Sequence, residues 1–393
     1  MIYFLLVVFL FFFVLQFDLA GKTKNKDFWY NVVLVVLIFL AGMRYRVGID
    51  TTNEVYDFFH RTPTIDKLFD DLSLIKYPLW KIINSIVYTL GGKFYMVQFI
   101  EAIFVNVLVF KYIKKHSEYI FTCVFFYFLI LYASYNFEEM KASFSAAICL
   151  YANDYVLEKK WAKGILLYII GCLFHISTVV LIPFSLLLFI RLNKVGVAFL
   201  VFSYFLGVFV EAKIEDYLYL FGDDDFLAGK IETYATSERW GGREGSLNII
   251  GITNKVLGYI YPIAGLLFMK WKDKSNSLLR LEPFFVFCLF FMTLTLSIPI
   301  FYRYSHFYDI YYILFVSYAF ATLLKDERLS KAIVYLRGFA LFIPFFVHVA
   351  IGYTSRIDKF YPYSSVIDRT VYKSKEKRFN ENRPVPNPKD DEY

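Results

Sequence analysis

Cysteine is scarce in this 393-residue chain and forms no recognisable pattern. The four cysteines are Cys123, Cys149, Cys172 and Cys288, and each lies inside an apolar run. There is no Cys-x-x-Cys pair, so the sequence offers neither a disulfide framework nor a zinc-binding signature. We predict that the four thiols are packing residues in an apolar interior.

Two further absences narrow the class of protein. No basic soluble face of the kind that binds nucleic acid is visible, although the formal net charge is +7. The positive charges are spread over the connectors between apolar runs, which is typical of positive-inside orientation and of attraction to anionic lipid. No internal repeat is evident. We therefore expect the lipid bilayer as a partner, and no nucleic acid.

Apolar residues dominate what remains. Hydrophobic residues make up 58% of the chain and aromatic residues 21%, above the usual apolar share of a soluble domain. Apolar runs recur from end to end, so the sequence predicts an all-α, polytopic transmembrane protein with about 10–12 spans. The first run, 2–17, has no basic residue before it and no small-residue cleavage site after it, so we interpret it as a retained helix.

The connectors suggest the domain organisation. We predict a transmembrane helical domain over 1–353, with long outer connectors at 44–77 and 212–246. The remainder, 354–393, is predicted to be an outer-face tail whose charged, proline-rich end is disordered.

Two apolar runs leave the number of spans open. Run 78–91 is short for a bilayer that needs roughly 20 apolar residues. Run 163–190 is too long for one upright helix and is interrupted at His175 and Ser177. It is either one tilted, broken helix or a re-entrant pair of half-helices.

Residues 44–50, Arg-Tyr-Arg-Val-Gly-Ile-Asp, follow the second apolar run. Arg44 and Arg46 can hold a phosphate or diphosphate with forked, charge-assisted hydrogen bonds. Gly48 lets the backbone approach closely. Asp50 is predicted either to accept a proton from a hydroxyl or to orient an arginine. The alternative is that both arginines anchor the helix end at lipid headgroups.

Two candidate residues lie in later apolar runs. Lys141 follows Glu138 and Glu139 at the start of a predicted helix, and the alternative to a functional role is a snorkelling lysine paired with a nearby glutamate. His175 coincides with the interruption of the longest run, where it is either a hydrogen-bonded structural residue or a functional one.

The remaining candidates come from the second half of the chain. Arg239 and Arg243 flank an aromatic residue and two glycines, a composition that suits a sugar platform beside a phosphate clamp or, alternatively, an exposed charged loop. Arg303, Tyr304 and His306 open a late helix and alternatively form an interfacial belt.

All these cations are predicted to lie on the outer side of the membrane, and no metal or cofactor is expected. A cationic, aromatic-lined outer cleft suits an anionic, sugar-bearing lipid. Away from it, Gln98, Glu101 and Asn106 share one helix face and predict a polar network between helices.

The order of these features resembles the EpsG family of exopolysaccharide-biosynthesis membrane proteins, which belong with the Wzy-type polysaccharide (O-antigen and capsule) polymerases. Residues 44–50 are similar to the family's Arg-Tyr-x-x-Gly-x-Asp pattern, and 174–177 to its Phe-His-x-Ser/Thr element. The pair Lys141-Ala142 departs from the family, which often has Arg-Gln there. A lysine preserves the charge but loses the forked geometry.

The resemblance implies a GT-C-like architecture and a glycosyltransferase of the bacterial cytoplasmic membrane. Such a polymerase joins polyprenyl-diphosphate-linked oligosaccharide repeat units on the outer face, without a metal. For such a reaction we assign Arg44, Arg46 and Arg303 to the diphosphate, with Arg239 and Arg243 as further candidates, and Asp50 or His175 as the candidate base. Undecaprenyl diphosphate is the expected carrier, and a chain-length regulator and a flippase of the same pathway are the expected partners.

Three other functions fit the same residues. A flippase or exporter of lipid-linked oligosaccharide needs a cationic cavity but no base, although such transporters usually show repeats. The second is a related membrane transferase, either a ligase that moves polymer to another acceptor or a glycosyltransferase that uses a lipid-monophosphate sugar. The acidic residues Asp50 and Glu54 would suit this glycosyltransferase. The third is a structural subunit of a polysaccharide complex.

Overall fold

Helices account for the regular secondary structure of the computed structural model wherever it is described. The described residues are 2–68, 70, 77–220, 249–298, 301–325, 331–354 and 360–367. Within them, an isolated antiparallel bridge joins Arg44 to Ser365. The helical preference follows from the apolar composition, because a helix satisfies its own backbone hydrogen bonds inside lipid.

Three described helices are long and apolar enough to cross a membrane by length and composition: Ile2–Leu19, Phe94–His116 and Ser277–Leu294. Shorter apolar helices accompany them throughout the described ranges. The prediction of an all-α polytopic membrane protein is therefore confirmed.

The chain divides into two compact units. The first unit is discontinuous and comprises Met1–Ile182 and Val349–Tyr393. Its α-helices are α1 (Ile2–Phe13), α2 (Lys26–Gly42), α3 (Ile49–Arg61), α4 (Pro78–Thr89), α5 (Phe94–His116), α6 (Ile120–Ile130), α7 (Met140–Leu157) and α8 (Trp161–Phe174). Helix α9 (Leu181–Phe184) contains the boundary between the two units.

The second unit comprises Pro183–His348. Its helices are α10 (Lys194–Leu220), α11 (Ile249–Lys272), α12 (Glu282–Leu294), α13 (Tyr302–Ser305), α14 (Asp309–Leu323) and most of α15 (Lys331–Thr354). Helix α11 packs on α14, and α10 packs on α12.

The first unit is built around the packing of α7 on α8 and of α5 on α2. The rings of Phe144 and Phe174 stack with centroids 4.7 Å apart. Gly164 makes the close approach of α8 possible, because a Cβ there would lie 2.6 Å from Cγ2 of Val156. Small residues at helix contacts are the usual solution in lipid, where apolar burial alone does not drive association.

The two apolar runs that left the number of spans open both form short helices. Run 78–91 forms α4, which begins at Pro78. Helix α8 ends at Phe174, His175 is extended, and a 3-10 helix follows over Ile176–Val180, so the predicted interruption at His175 is confirmed. The end of the tail from 368 onward lies outside the described residues.

Candidate functional site

The turn over residues 43–48 joins α2 to α3 and has an unusual backbone. Arg46 has φ of 50° and Gly48 has φ of 92°, both in the region that favours glycine. A Cβ on Gly48 would lie 2.0 Å from the backbone oxygen of Phe137, so only glycine fits there. For Arg46 this backbone costs about 1 kcal/mol, and the surrounding contacts must hold it in place.

Arg44 lies beneath this turn and is fully buried. Its Nη1 donates to the backbone oxygen of Ala41 at 2.6 Å, and its Nη2 contacts Sδ of Met140 at 3.1 Å. Its Nε donates to Oγ1 of Thr51 at 3.4 Å. The headgroup-anchor alternative is therefore wrong for Arg44, because a buried side chain does not reach lipid headgroups.

Glu101 on α5 is the acidic partner of Arg44. Nη1 of Arg44 lies 4.0 Å from Oε2 of Glu101, and both side chains are fully buried. Oγ of Ser143 donates to Oε1 of Glu101 at 3.2 Å. A buried carboxylate is tolerated when it is paired and hydrogen-bonded. The predicted polar network is confirmed here, since Glu101 links α5 to α7 and to the turn.

A late segment of the chain closes over the turn. The backbone N–H of Tyr45 donates to the backbone oxygen of Ser364 at 2.8 Å, and that of Val366 donates to the backbone oxygen of Met43 at 2.8 Å. From α5, Nε2 of Gln98 donates to the backbone oxygen of Arg44 at 3.0 Å. These bonds satisfy backbone groups that would otherwise be buried without partners.

Glu54 on α3 forms the centre of a second group of contacts. Its Oε1 lies 2.6 Å from Nζ of Lys141, at the start of α7. Nε1 of Trp80, on α4, donates to its Oε2 at 2.8 Å. The Glu54 side chain is 9% exposed and the Lys141 side chain 26%, so the pair is largely removed from solvent but remains reachable from the lysine side.

Tyr77 connects this pair to the helix break at His175. Nζ of Lys141 lies 4.8 Å from the centroid of the Tyr77 ring, a cation–π contact. The Tyr77 ring stacks on the ring of His175, with centroids 5.4 Å apart and an interplanar angle of 7°. Because His175 interrupts α8, its ring is placed beside the start of α4. We call Glu54, Tyr77, Trp80, Lys141 and His175 the Glu54 cluster.

The turn and the Glu54 cluster share supporting elements. Arg44 contacts Thr51 of α3 and Met140 of α7, and Glu54 and Lys141 belong to the same two helices. Arg44 is therefore an internal brace between the helices that carry the cluster. Its predicted role as a diphosphate ligand stays a prediction, as does that of Arg46.

Chemically, the Glu54 cluster combines a carboxylate, an ammonium and an imidazole in an apolar setting. Ionisable groups at such positions of a membrane protein are costly and usually functional. A carboxylate or an imidazole can accept a proton from a hydroxyl. An ammonium can stabilise an anion, and in a low-dielectric site it does so more strongly than in water.

Glu54, Tyr77 and Trp80 are the members of the cluster that the sequence reasoning did not select. In the sequence, Glu54 supports only the alternative of a glycosyltransferase that uses a lipid-monophosphate sugar. Asp50 and Glu54 are four residues apart in the sequence, a spacing that would group two acidic residues in a predicted helix.

Three predicted site residues lie where their side chains are not described. Asp50 is the second residue of α3, and its side chain is outside the described part. Arg239 and Arg243 fall within 221–248, outside the described residues.

The second unit holds the other predicted residues near the start of α14. Nε2 of His306 lies 3.7 Å from Oδ2 of Asp309, a partner that sequence reasoning did not assign. The Tyr304 ring stacks on Phe291 with centroids 5.6 Å apart. Cζ of Arg303 lies 6.0 Å from the centroid of the neighbouring Tyr302 ring. These residues form a compact polar and aromatic group at a helix entrance.

The comparisons with known proteins agree with the sequence resemblance. No curated protein and no solved structure matches the chain. The model of the EpsG family matches residues 27–365, which include the turn, the Glu54 cluster and the group around His306. Because this match covers most of the sequence, the chain belongs to the EpsG family.

Proposed function

We propose that this protein is a polysaccharide polymerase of the bacterial cytoplasmic membrane. It joins polyprenyl-diphosphate-linked oligosaccharide repeat units on the outer face of that membrane. Membership of the EpsG family suggests a membrane protein of the exopolysaccharide-polymerase type. The single observation that carries the proposal is the Glu54 cluster, which places an ammonium, a carboxylate and an imidazole among the helices of an apolar membrane protein.

The reaction needs two kinds of group. The leaving diphosphate must be stabilised as the bond to the anomeric carbon breaks, and fixed cations supply this without proton transfer. The acceptor hydroxyl must lose a proton as it attacks, which requires a base. In the first unit, we assign the diphosphate to Lys141 and Arg46, and we assign Arg44 to the support of the turn that carries Arg46.

The proposal is tested with the purified full-length protein in liposomes that contain a defined polyprenyl-diphosphate oligosaccharide. We expect a ladder of products spaced by one repeat unit, with one polyprenyl diphosphate released for each new linkage. Movement of the lipid-linked unit across the bilayer with no new linkage would contradict the proposal and would identify a flippase.

A matched pair of variants tests the cation. Lys141→Ala is expected to lower kcat about 100-fold, the usual cost of removing one group that stabilises a developing anion. Lys111→Ala, which removes an exposed lysine from α5, is expected to leave the ladder unchanged. Equal activity of the two variants would remove Lys141 from the diphosphate site.

A further inference from the structure

We propose that Glu54 is the general base of the transfer reaction and that the acceptor is a sugar hydroxyl. This inference rests on the proposed polymerase function and deepens it. The sequence pattern points instead to Asp50 or His175.

The two carboxylate oxygens of Glu54 still have acceptor positions that no described residue occupies. A carboxylate has about four acceptor positions, two on each oxygen. Lys141 approaches one oxygen of Glu54 and Trp80 approaches the other. The two contacts fix the plane of the carboxylate and leave acceptor positions for a substrate hydroxyl.

The second support is the contrast with other buried carboxylates of the described chain. Asp154 on α7 accepts from Lys115, His116 and Tyr112 at 2.6, 2.8 and 3.2 Å. Glu101 is fully buried and enclosed by protein. Asp154 therefore has three partners among the described residues, whereas Glu54 has two, Lys141 and Trp80.

A third carboxylate, in the second unit, shows the same structural pattern as Asp154. Glu282 is 1% exposed, and its Oε1 lies 2.5 Å from Nζ of Lys270. The same oxygen accepts from the backbone N–H of Leu192 at 2.6 Å, and Oε2 lies 3.4 Å from Nη1 of Arg191. Like Asp154, Glu282 therefore has three partners among the described residues, one more than Glu54.

The third support is the pairing with Lys141. The ammonium lies 2.6 Å from one carboxylate oxygen, so a cation is in direct contact with the proposed base. When the carboxylate accepts a proton it becomes neutral, and its attraction for Lys141 falls. The ammonium is then available to the negative charge that develops on the leaving diphosphate. One ion pair thus serves both requirements of the reaction at the moment when each arises.

The bonds and charges balance as follows. The acceptor oxygen forms a bond to the anomeric carbon of the lipid-linked donor, and the bond between that carbon and the diphosphate oxygen breaks. The electron pair leaves with the diphosphate. The hydroxyl proton moves to Glu54, which returns it to water before the next cycle.

The test uses the full-length protein in liposomes with a defined polyprenyl-diphosphate oligosaccharide. Glu54→Gln is expected to lower kcat by about 100-fold or more, with the substrate concentration for half-maximal rate changed less than about threefold. Glu54→Ala is expected to regain at least about tenfold of its lost rate when sodium formate is added, because formate supplies a carboxylate.

Two further variants distinguish loss of the base from loss of folded protein. Glu54→Asp retains the charge and the fold, and it is expected to lower kcat about tenfold because the base is withdrawn by one methylene. Asp154→Asn is the matched control for loss of a lysine-paired carboxylate. It is expected to change the kcat of folded protein less than about threefold, with no response to formate.

The outcomes separate the inference from the proposed function. A Glu54→Gln variant with more than a third of the wild-type kcat, or a Glu54→Ala variant that formate does not restore, overturns the role of Glu54 while the polymerase function stands. A wild-type protein that forms no ladder overturns the polymerase function itself, and with it the inference.

Discussion

Helix α7 carries an ion pair near each end, and the two pairs are built differently. Near its start, Lys141 pairs with Glu54, which lies on the connector helix α3. Near its end, Asp154 pairs with Lys115 and His116 of the neighbouring helix α5. The second pair joins two long helices directly, whereas the first brings together short elements from several connectors.

Burial separates the two pairs further. The Asp154 side chain is 4% exposed and its lysine partner 48%, so the carboxylate anchors a solvated lysine. At the other end the lysine side chain is only 26% exposed, and its Nζ lies 4.8 Å from the centroid of the Tyr77 ring. The difference shows where function is placed in this fold: long helices supply the scaffold, and connectors supply the adjustable groups.

The largest expected effect comes from removing the Arg44 side chain, which joins the two helices that carry Glu54 and Lys141. Arg44→Met leaves Glu101 buried without its cation and is expected to cost about 4 kcal/mol of unfolding free energy. Thermal unfolding in detergent measures this cost. The double variant Arg44→Met/Glu101→Met is expected to recover at least half of it, and failure to recover would show that the ion pair is not the source.

The next largest loss of stability is expected from a substitution in the turn that positions Arg46. Gly48→Ala is expected to cost about 3 kcal/mol, because the new Cβ meets the Phe137 backbone oxygen and the φ is unfavourable. Gly91→Ala, with φ of 70° and open space around the added carbon, isolates the backbone penalty at about 1 kcal/mol. Equal costs in the two variants would contradict the close approach at Phe137.

Removing the carboxylate of each ion pair, at Asp154 or at Glu54, compares the two pairs directly. Asp154→Asn is expected to cost about 2 kcal/mol, reduced from the full buried-pair value because Lys115 is half exposed. Glu54→Gln is expected to cost about 1 kcal/mol in thermal unfolding, because it weakens two contacts, with Lys141 and Trp80, rather than three. For polymer formation we expect the reverse order, with Glu54→Gln the more damaging variant. The same order in both assays would contradict the assignment of Asp154 to the scaffold and of Glu54 to the site.

The smallest effects are expected from variants that each remove one side-chain hydrogen-bond donor. Trp80→Phe removes the hydrogen bond to Glu54 and is expected to cost about 1 kcal/mol and to slow polymer formation about fivefold. Tyr112→Phe removes the bond to Asp154 and is expected to cost about 0.5 kcal/mol with no change in rate. Product-ladder kinetics and thermal unfolding of both variants check this, and a slower Tyr112→Phe enzyme would contradict it.

The sequence predicts the helices well because their signal is local. An apolar run specifies a helix, and the histidine at 175 marks its interruption. The shared face of Gln98, Glu101 and Asn106 follows from helical periodicity, and all three are buried in the structure. These predictions need no knowledge of which helices are neighbours.

The site was harder to predict because its contacts join distant parts of the chain. Periodicity gives the face on which Lys141 lies but does not say that Glu54 meets it. The position of Arg44 at a helix exit suggests exposure, yet the turn folds back against Phe137 and buries it. In the sequence, Trp80 is indistinguishable from an ordinary apolar residue. Only the structure shows that its indole nitrogen donates to Glu54.

The backbone bonds between Tyr45 and Ser364, and between Met43 and Val366, set a limit on biosynthesis. The turn that follows the second helix is complete only when residues 364–366 have been translated. A ribosome must therefore translate more than three hundred further residues before the nascent protein can acquire its final geometry at Arg46. Chains released before residue 364 therefore lack this closure of the turn.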